Sequence, residues 1–137
     1  RAAVLAPGIV FSQADIRAVQ LAKAAIRTGV DLLLADAGLA EAEIGRFIIA
    51  GAFGAYIRIE SAVAIGLVPD LPRERFEQVG NAAGAGVRQL LASVSLREEA
   101  RQLAARCHYV ELSTRAAFQK IFMNNIGFKT RQGRRCA

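Results

Sequence analysis

Few residues of this 137-residue chain are of types that do covalent or acid–base chemistry. His108 is the single histidine, and it stands beside Cys107. A Cys–His nucleophilic pair needs the two side chains to face one another, whereas neighbours along an extended segment point to opposite faces. A helix-end cysteine followed by a strand-start histidine accounts for the pair. Two cysteines, Cys107 and Cys136, are too few for a disulfide framework or a four-ligand zinc site. Glu98 with Glu99, and Glu41 with Glu43, sit in polar settings and read as solvated faces. No catalytic and no metal-ligating residue is assigned.

Two glycine clusters carry more. In "IIAGAFG" a short apolar run breaks into Gly51, Ala52, Phe53 and Gly54. Missing side chains at the end of a strand let backbone approach a ligand closely, and open α/β sheets bind ligands beyond the carboxyl ends of their strands. The pattern is neither the dinucleotide fingerprint nor the Walker phosphate loop, since no Gly-Lys-Ser/Thr follows. "GNAAGAG" at 80–86 reads as packing of an Ala/Gly helix, with Asn81 as its cap.

The elements that would position these clusters follow from periodicity. Ser12 with Asp15 fits a capping box. Ile16, Val19, Ile26, Val30 and Leu33 recur at helical spacing behind it, which predicts one helix over 13–37 ending at Gly38. Gln20, Lys23 and Arg27 belong to its polar side, and Ala18, Ala22, Ala25 and Gly29 form a stripe of small residues. Phe47–Ala50 predicts a strand covered on both faces, and Glu60–Ile65 a helix stopped by Gly66. Beyond the "PDLP" loop at 69–72, a strand is expected at 76–79 and helices at 81–92 and 96–106. A strand at 109–112 and a last helix at 116–124 complete the reading. Short strands between helices predict an α/β lobe with a short mixed sheet layered with helices. One compact unit over 1–128 is expected.

The net charge of +6 is unevenly placed. Four of the 18 basic residues, Lys129, Arg131, Arg134 and Arg135, fall in the last nine positions, leaving the first 128 with 14 bases against 12 acids. The body is nearly balanced and no helix is lined with Arg and Lys, so specific nucleic-acid binding is not expected. Residues 129–137 read as a flexible basic tail. No apolar run is long enough to span a membrane, and the chain reads as cytoplasmic. It begins with Arg, as expected of a chain processed or cut from a longer protein.

"SQADIRAVQLAKAAIRTGVDLLL", then "FIIAGAFGAYI" with "ESAVAIGLVPDLP", then "QVGNAAGAGVRQLL", resembles the carboxy-terminal part of the reductive activators of corrinoid proteins. That family consists of iron–sulfur proteins whose ATP-binding domain belongs to the acetate-and-sugar-kinase, heat-shock-chaperone and actin superfamily (ASKHA), of ribonuclease H-like fold. The resemblance covers about residues 9–125. It implies two lobes closing on ATP, with this chain as the second and the Mg²⁺-binding acid in the first. Gly51, Ala52, Phe53 and Gly54 would then be the adenosine-side turn, with Gln20, Lys23 and Arg27 beside the adenine or ribose. Gly84 and Ala85 match the helix packed beneath the turn. The cofactors implied are ATP with Mg²⁺ and, in a preceding part only, an iron–sulfur cluster.

The partners implied are a corrinoid protein and the missing N-terminal lobe, and the lobe alone would hydrolyse no ATP. Where the family has Asp-Pro before Glu-Ser, this chain has Arg58 and Ile59. A non-catalytic interaction or homodimerisation lobe using the small-residue stripe is the alternative, as is a part of a related ASKHA kinase or dehydratase activator.

Overall fold

The structure is a computed structural model and describes residues 3–128. In chain order its elements are β1 (Ala3–Ala6), β2 (Ile9–Phe11), α1 (Gln13–Ala37), β3 (Phe47–Ala50), α2 (Ile59–Ile65), β4 (Phe76–Gly80), α3 (Ala82–Ala92), α4 (Val94–Ala105) and α5 (Phe118–Asn125). They group into two compact units where the sequence suggested one. The first takes the residues up to Glu43, Ile59–Asp70 and the segment from Leu112; the second takes Ile44–Arg58 and Leu71–Glu111. The basic tail expected at 129–137 lies outside the described residues.

The first unit is organised by α1, whose limits are those its sequence signals imply. The Ser12 hydroxyl accepts from the Asp15 N–H while the Asp15 carboxylate accepts from the Ser12 N–H at 2.7 Å. The Ser12 hydroxyl also donates to the Asp15 carboxylate at 2.7 Å, and this bond, with that from the Ser12 N–H, holds the Asp15 carboxyl below its ordinary value. At the other end Gly38 turns left-handed (φ 66°), and Leu39 N–H donates to Leu34 O at 3.0 Å. Ala24, Thr28 and Leu32, four residues apart, are buried, and α1 packs along α5. Phe118, Ile121 and Phe122 of α5 are half-buried, the two phenyl rings stacked 5.8 Å apart. An antiparallel hairpin, β1–β2, precedes α1 and was absent from the sequence reading. Its Pro7-Gly8 turn is the signal, with Gly8 at φ 77°.

The second unit is built on β3 and β4, which pair in parallel from Phe47↔Phe76 to Ala50↔Gly80. Phe76 is buried and its ring lies 5.6 Å from that of Phe47. The α/β class holds, but the short mixed sheet is realised among the described residues as two separate pairs, one antiparallel and one parallel. Nor is β3 covered on both faces, since Ile48 is 50% exposed. The α3–α4 corner is made by Ser93, whose N–H donates to Gln89 O and whose hydroxyl accepts from Leu96 N–H.

The strand expected at 109–112 is irregular chain. Strand propensity is realised only beside a partner, and among the described residues none pairs with it. Tyr109 is instead exposed, with its hydroxyl donating to Glu111, and this contact raises the phenol above its ordinary value. Ile59 is buried at the start of α2.

Candidate functional site

The glycine turn follows β3 in the second unit. Gly51 sits at φ 101°, a conformation that side chains rarely adopt, and its N–H donates to Gly80 O at 2.6 Å. Gly54 is required for a different reason: a Cβ there would lie 2.6 Å from Ile49 Cγ2. Gly54–Tyr56 form one turn of 3₁₀ helix, with Tyr56 N–H donating to Phe53 O at 3.1 Å. Ala52, Phe53, Ala55 and Tyr56 are exposed, the two rings at 83% and 87%. The turn therefore offers backbone, two methyl groups and two aromatic faces.

β4 ends at the same edge in Gly80, also left-handed at φ 60°. The Asn81 carboxamide then accepts from Gly84 N–H at 2.9 Å, and a Cβ on Gly84 would collide with that carboxamide at 2.6 Å. "GNAAGAG" is thus explained by capping and by the space the cap needs. Gly51 just past β3 and Gly80 at the last position of β4 are both left-handed, with open space where a Cβ would lie.

The sequence-derived residues of α1 belong to the first unit, and the structure gives Lys23 and Arg27 partners. Lys23 is 4% exposed, and its ammonium donates to Asn125 O at 2.6 Å and Gly127 O at 2.7 Å. Those carbonyls belong to the C-terminal end of α5, where unpaired acceptors and the helix dipole favour a cation. Arg27 Nε pairs with Asp31 at 2.9 Å and Arg27 Nη2 with Glu41. Burial opposes the charge of this guanidinium, and the two carboxylates outweigh that, raising it above the ordinary arginine value. Glu41 also accepts from Asp70 N–H, and the Asn125 amide donates to Asp31, both at 2.9 Å. Arg27 Nη1 is buried without a hydrogen-bond partner among the described residues.

Lys23 and Arg27 come together with Asp31, Gly66, Asn124, Asn125, Gly127 and Phe128 around a cavity of about 490 Å³. Gln20 is half-buried on the same helix and is not one of its lining residues. Counting Glu41, which pairs with Arg27 but does not line the cavity, the formal charges of Lys23, Arg27, Asp31 and Glu41 cancel, so this wall suits a polar, uncharged group better than a phosphate.

Sequence reasoning missed Asp31, Asn125 and Gln78. Gln78 carried a signal: it shares the face of β4 with buried Phe76, so a polar residue stands at an apolar phase of the strand. Cys107 is exposed, with its thiol directed to Leu103 O at 3.4 Å. Among the described residues no three His, Cys, Asp or Glu side chains gather as a metal site would require, and no helix is long and apolar enough to cross a membrane. Of the small-residue stripe, Ala18, Ala22 and Ala25 are exposed, while Gly29 is half-buried beside Leu112.

The family described as the C-terminal domain of RACo, the ASKHA domain, matches residues 2–136. The chain belongs to this family. As an ASKHA domain of the RACo type it has relatives of known designation. It is 38% identical over 120 residues to the corrinoid activation enzyme RamQ of Eubacterium limosum, covering 88% of this chain and 20% of that one. It is 24% identical over 129 residues to the [Co(II) methylated amine-specific corrinoid protein] reductase of Methanosarcina barkeri, covering 93% and 24%. Among solved structures, the reductive activator for corrinoid, iron–sulfur protein superposes with a TM-score of 0.81 at 39% identity, covering 88% of this chain and 19% of that one. The chain spans about a fifth to a quarter of the length of the relatives it matches. The match extends into the basic tail, which the sequence reading had set apart from the family.

Proposed function

We propose that this domain supplies a nucleotide half-site to an ATP-dependent activator that reduces the corrinoid of a partner protein. The observation carrying this reading is the turn at the end of β3. Gly51 and Gly54 are glycine for two separate steric reasons, and everything else on the turn is small or aromatic and exposed. Gly51, Ala52, Phe53 and Gly54 lie along the adenosine in this reading. Its base and ribose are the parts of ATP that need close backbone and an aromatic face, not cations. In the first unit Lys23 and Arg27 act as ties, Lys23 holding the Asn125 and Gly127 carbonyls and Arg27 the carboxylates of Asp31 and Glu41.

Bound ATP would supply the free energy of a conformational change, acting only through its preference for one state over another. The chain's own part is to bind and orient the nucleoside. It has two cysteines, and a cluster held by four thiolates does not fit them. Asp31 and Glu41 are already engaged by Arg27, so the Mg²⁺ ligand and the phosphate chemistry fall to other parts of the full-length protein, and this domain alone hydrolyses no ATP. Its partners are the preceding lobe and a corrinoid protein.

The test is ATP affinity of the full-length protein with Ala52→Glu. Ala52 is exposed and outside the left-handed region, so the substitution adds bulk and negative charge without strain. Gly54→Asp is the poorer choice, because its Cβ already collides with Ile49. Loss of about tenfold or more in affinity is expected; unchanged affinity removes the turn from the site. The exposed Ala18, Ala22 and Ala25 favour one alternative, self-association along α1. In that case Ala22→Glu would dissociate a dimer seen by sedimentation.

A further inference from the structure

Gln78 of β4 reaches the turn from the neighbouring strand. Its side-chain amide nitrogen donates to Gly54 O at 2.7 Å and to Ile57 O at 2.9 Å. These carbonyls stand at the start of the 3₁₀ turn and at the residue that closes it. The turn's internal bond between the same two residues, Ile57 N–H to Gly54 O, is long at 3.3 Å, and a single 3₁₀ turn is intrinsically weak. Gln78 therefore spans the turn from the neighbouring strand. With Gly51 N–H on Gly80 O before it and Gly54 seated on Ile49 in the middle, the segment is held at three points. Phe53 and Tyr56, three residues apart, project from one side of a 3₁₀ turn, where positions i and i+3 eclipse. Only a fixed turn keeps two such exposed rings in one orientation.

We infer that Gln78 is a positioning residue for nucleotide binding: its two donated hydrogen bonds set the conformation of the Gly51–Ile57 turn before ligand arrives. The inference rests on the reading of that turn as the adenosine contact. The chemistry demands a donor at this place. Glutamate has nearly the same shape but would set a carboxylate against two carbonyl oxygens, and methionine keeps the length with neither donor nor charge. Asparagine is one methylene short and reaches fewer of the two acceptors. Preorganisation acts on affinity and not on the step that follows saturation, so the Michaelis constant for ATP should rise while turnover at saturating ATP is kept.

The experiment uses the full-length protein, with ATP-dependent activity and thermal unfolding without nucleotide measured for wild type, Ala52→Glu, Gln78→Asn, Gln78→Met and Gln78→Glu. The expected result is a rise in KM of about tenfold for Gln78→Met, which removes both donated hydrogen bonds, each of modest net worth. Gln78→Glu should exceed it and Gln78→Asn fall below it, all with turnover retained. Wild-type KM in the Gln78 variants, with Ala52→Glu impaired, overturns the role of Gln78 and leaves the turn as the site. A lowered unfolding midpoint with KM unchanged overturns it as well, by assigning Gln78 to stability alone. Ala52→Glu binding as wild type does overturns the reading of the turn, and the inference with it.

Discussion

The polar face of α1 and the glycine turn after β3 are both places where the sequence suggests a nucleotide, and they are built in opposite ways. On α1 the suggestive residues are charged, and the fold has given each a partner: Lys23 the end of α5, Arg27 the carboxylates of Asp31 and Glu41. On the turn the suggestive residues have almost no side chain, and they are held by backbone and by one neutral amide from β4. A long cation can always be consumed within the molecule that carries it. A glycine cannot, so the space it leaves is a better guide to where a ligand goes.

Substitutions should separate the two regions. The largest effect is expected from Arg27→Met, which leaves Asp31 and Glu41 without their shared cation. Both are partly solvated, so a loss of about 3 kcal/mol of local stability is expected, at the low end for a broken buried pair. Amide hydrogen exchange across α1 in the full-length protein measures it. Lys23→Met comes next. It strands the Asn125 and Gly127 carbonyls, at a cost of about 2 kcal/mol read from exchange in α5. If both variants kept native exchange yet lost ATP binding, the contrast would break, because the cations would then be ligand contacts and not ties.

Gly54→Ala sharpens the other side. Its Cβ forces Ile49 or the turn to move, with a cost of about 1 to 2 kcal/mol confined to the second unit. Smaller still is Ser12→Ala, about 1 kcal/mol at the start of α1. The same cap gives a pH dependence. The folded Asp15 carboxyl lies below its ordinary 3.8, so its contribution is complete above that value and disappears as pH falls through the lower, folded one. Exchange in the first turn of α1 should quicken over that interval and show no such step in Asp15→Asn.

How legible the molecule was depended on how far apart the interacting residues stand. The limits of α1 could be read because Ser12–Asp15 and Gly38 are local signals. The same holds for α2 before Gly66 and α3 after Asn81. β1–β2 was overlooked because Ala3–Ala6 is weakly patterned, although Pro7-Gly8 marks its turn. The opposite error, a strand at 109–112, came from a Tyr-Val-Glu-Leu stretch that has no neighbour to pair with among the described residues. The roles of Lys23 and Gln78 were out of reach in the sequence. Lys23 meets a carbonyl 102 residues away and Gln78 one 24 residues away, and no periodicity encodes either contact. The turn itself was legible as a cluster, but the two different reasons for Gly51 and Gly54 emerged only from a dihedral angle and a 2.6 Å approach.

Photolabelling of the full-length protein with 8-azido-ATP tests the central claim most directly, since the reactive group sits on the base. The account predicts label on the peptide containing Gly51–Ile57, at Phe53 or Tyr56, and its suppression by excess ATP. ATP-suppressible label found only on other peptides, with this one unmarked, would contradict it.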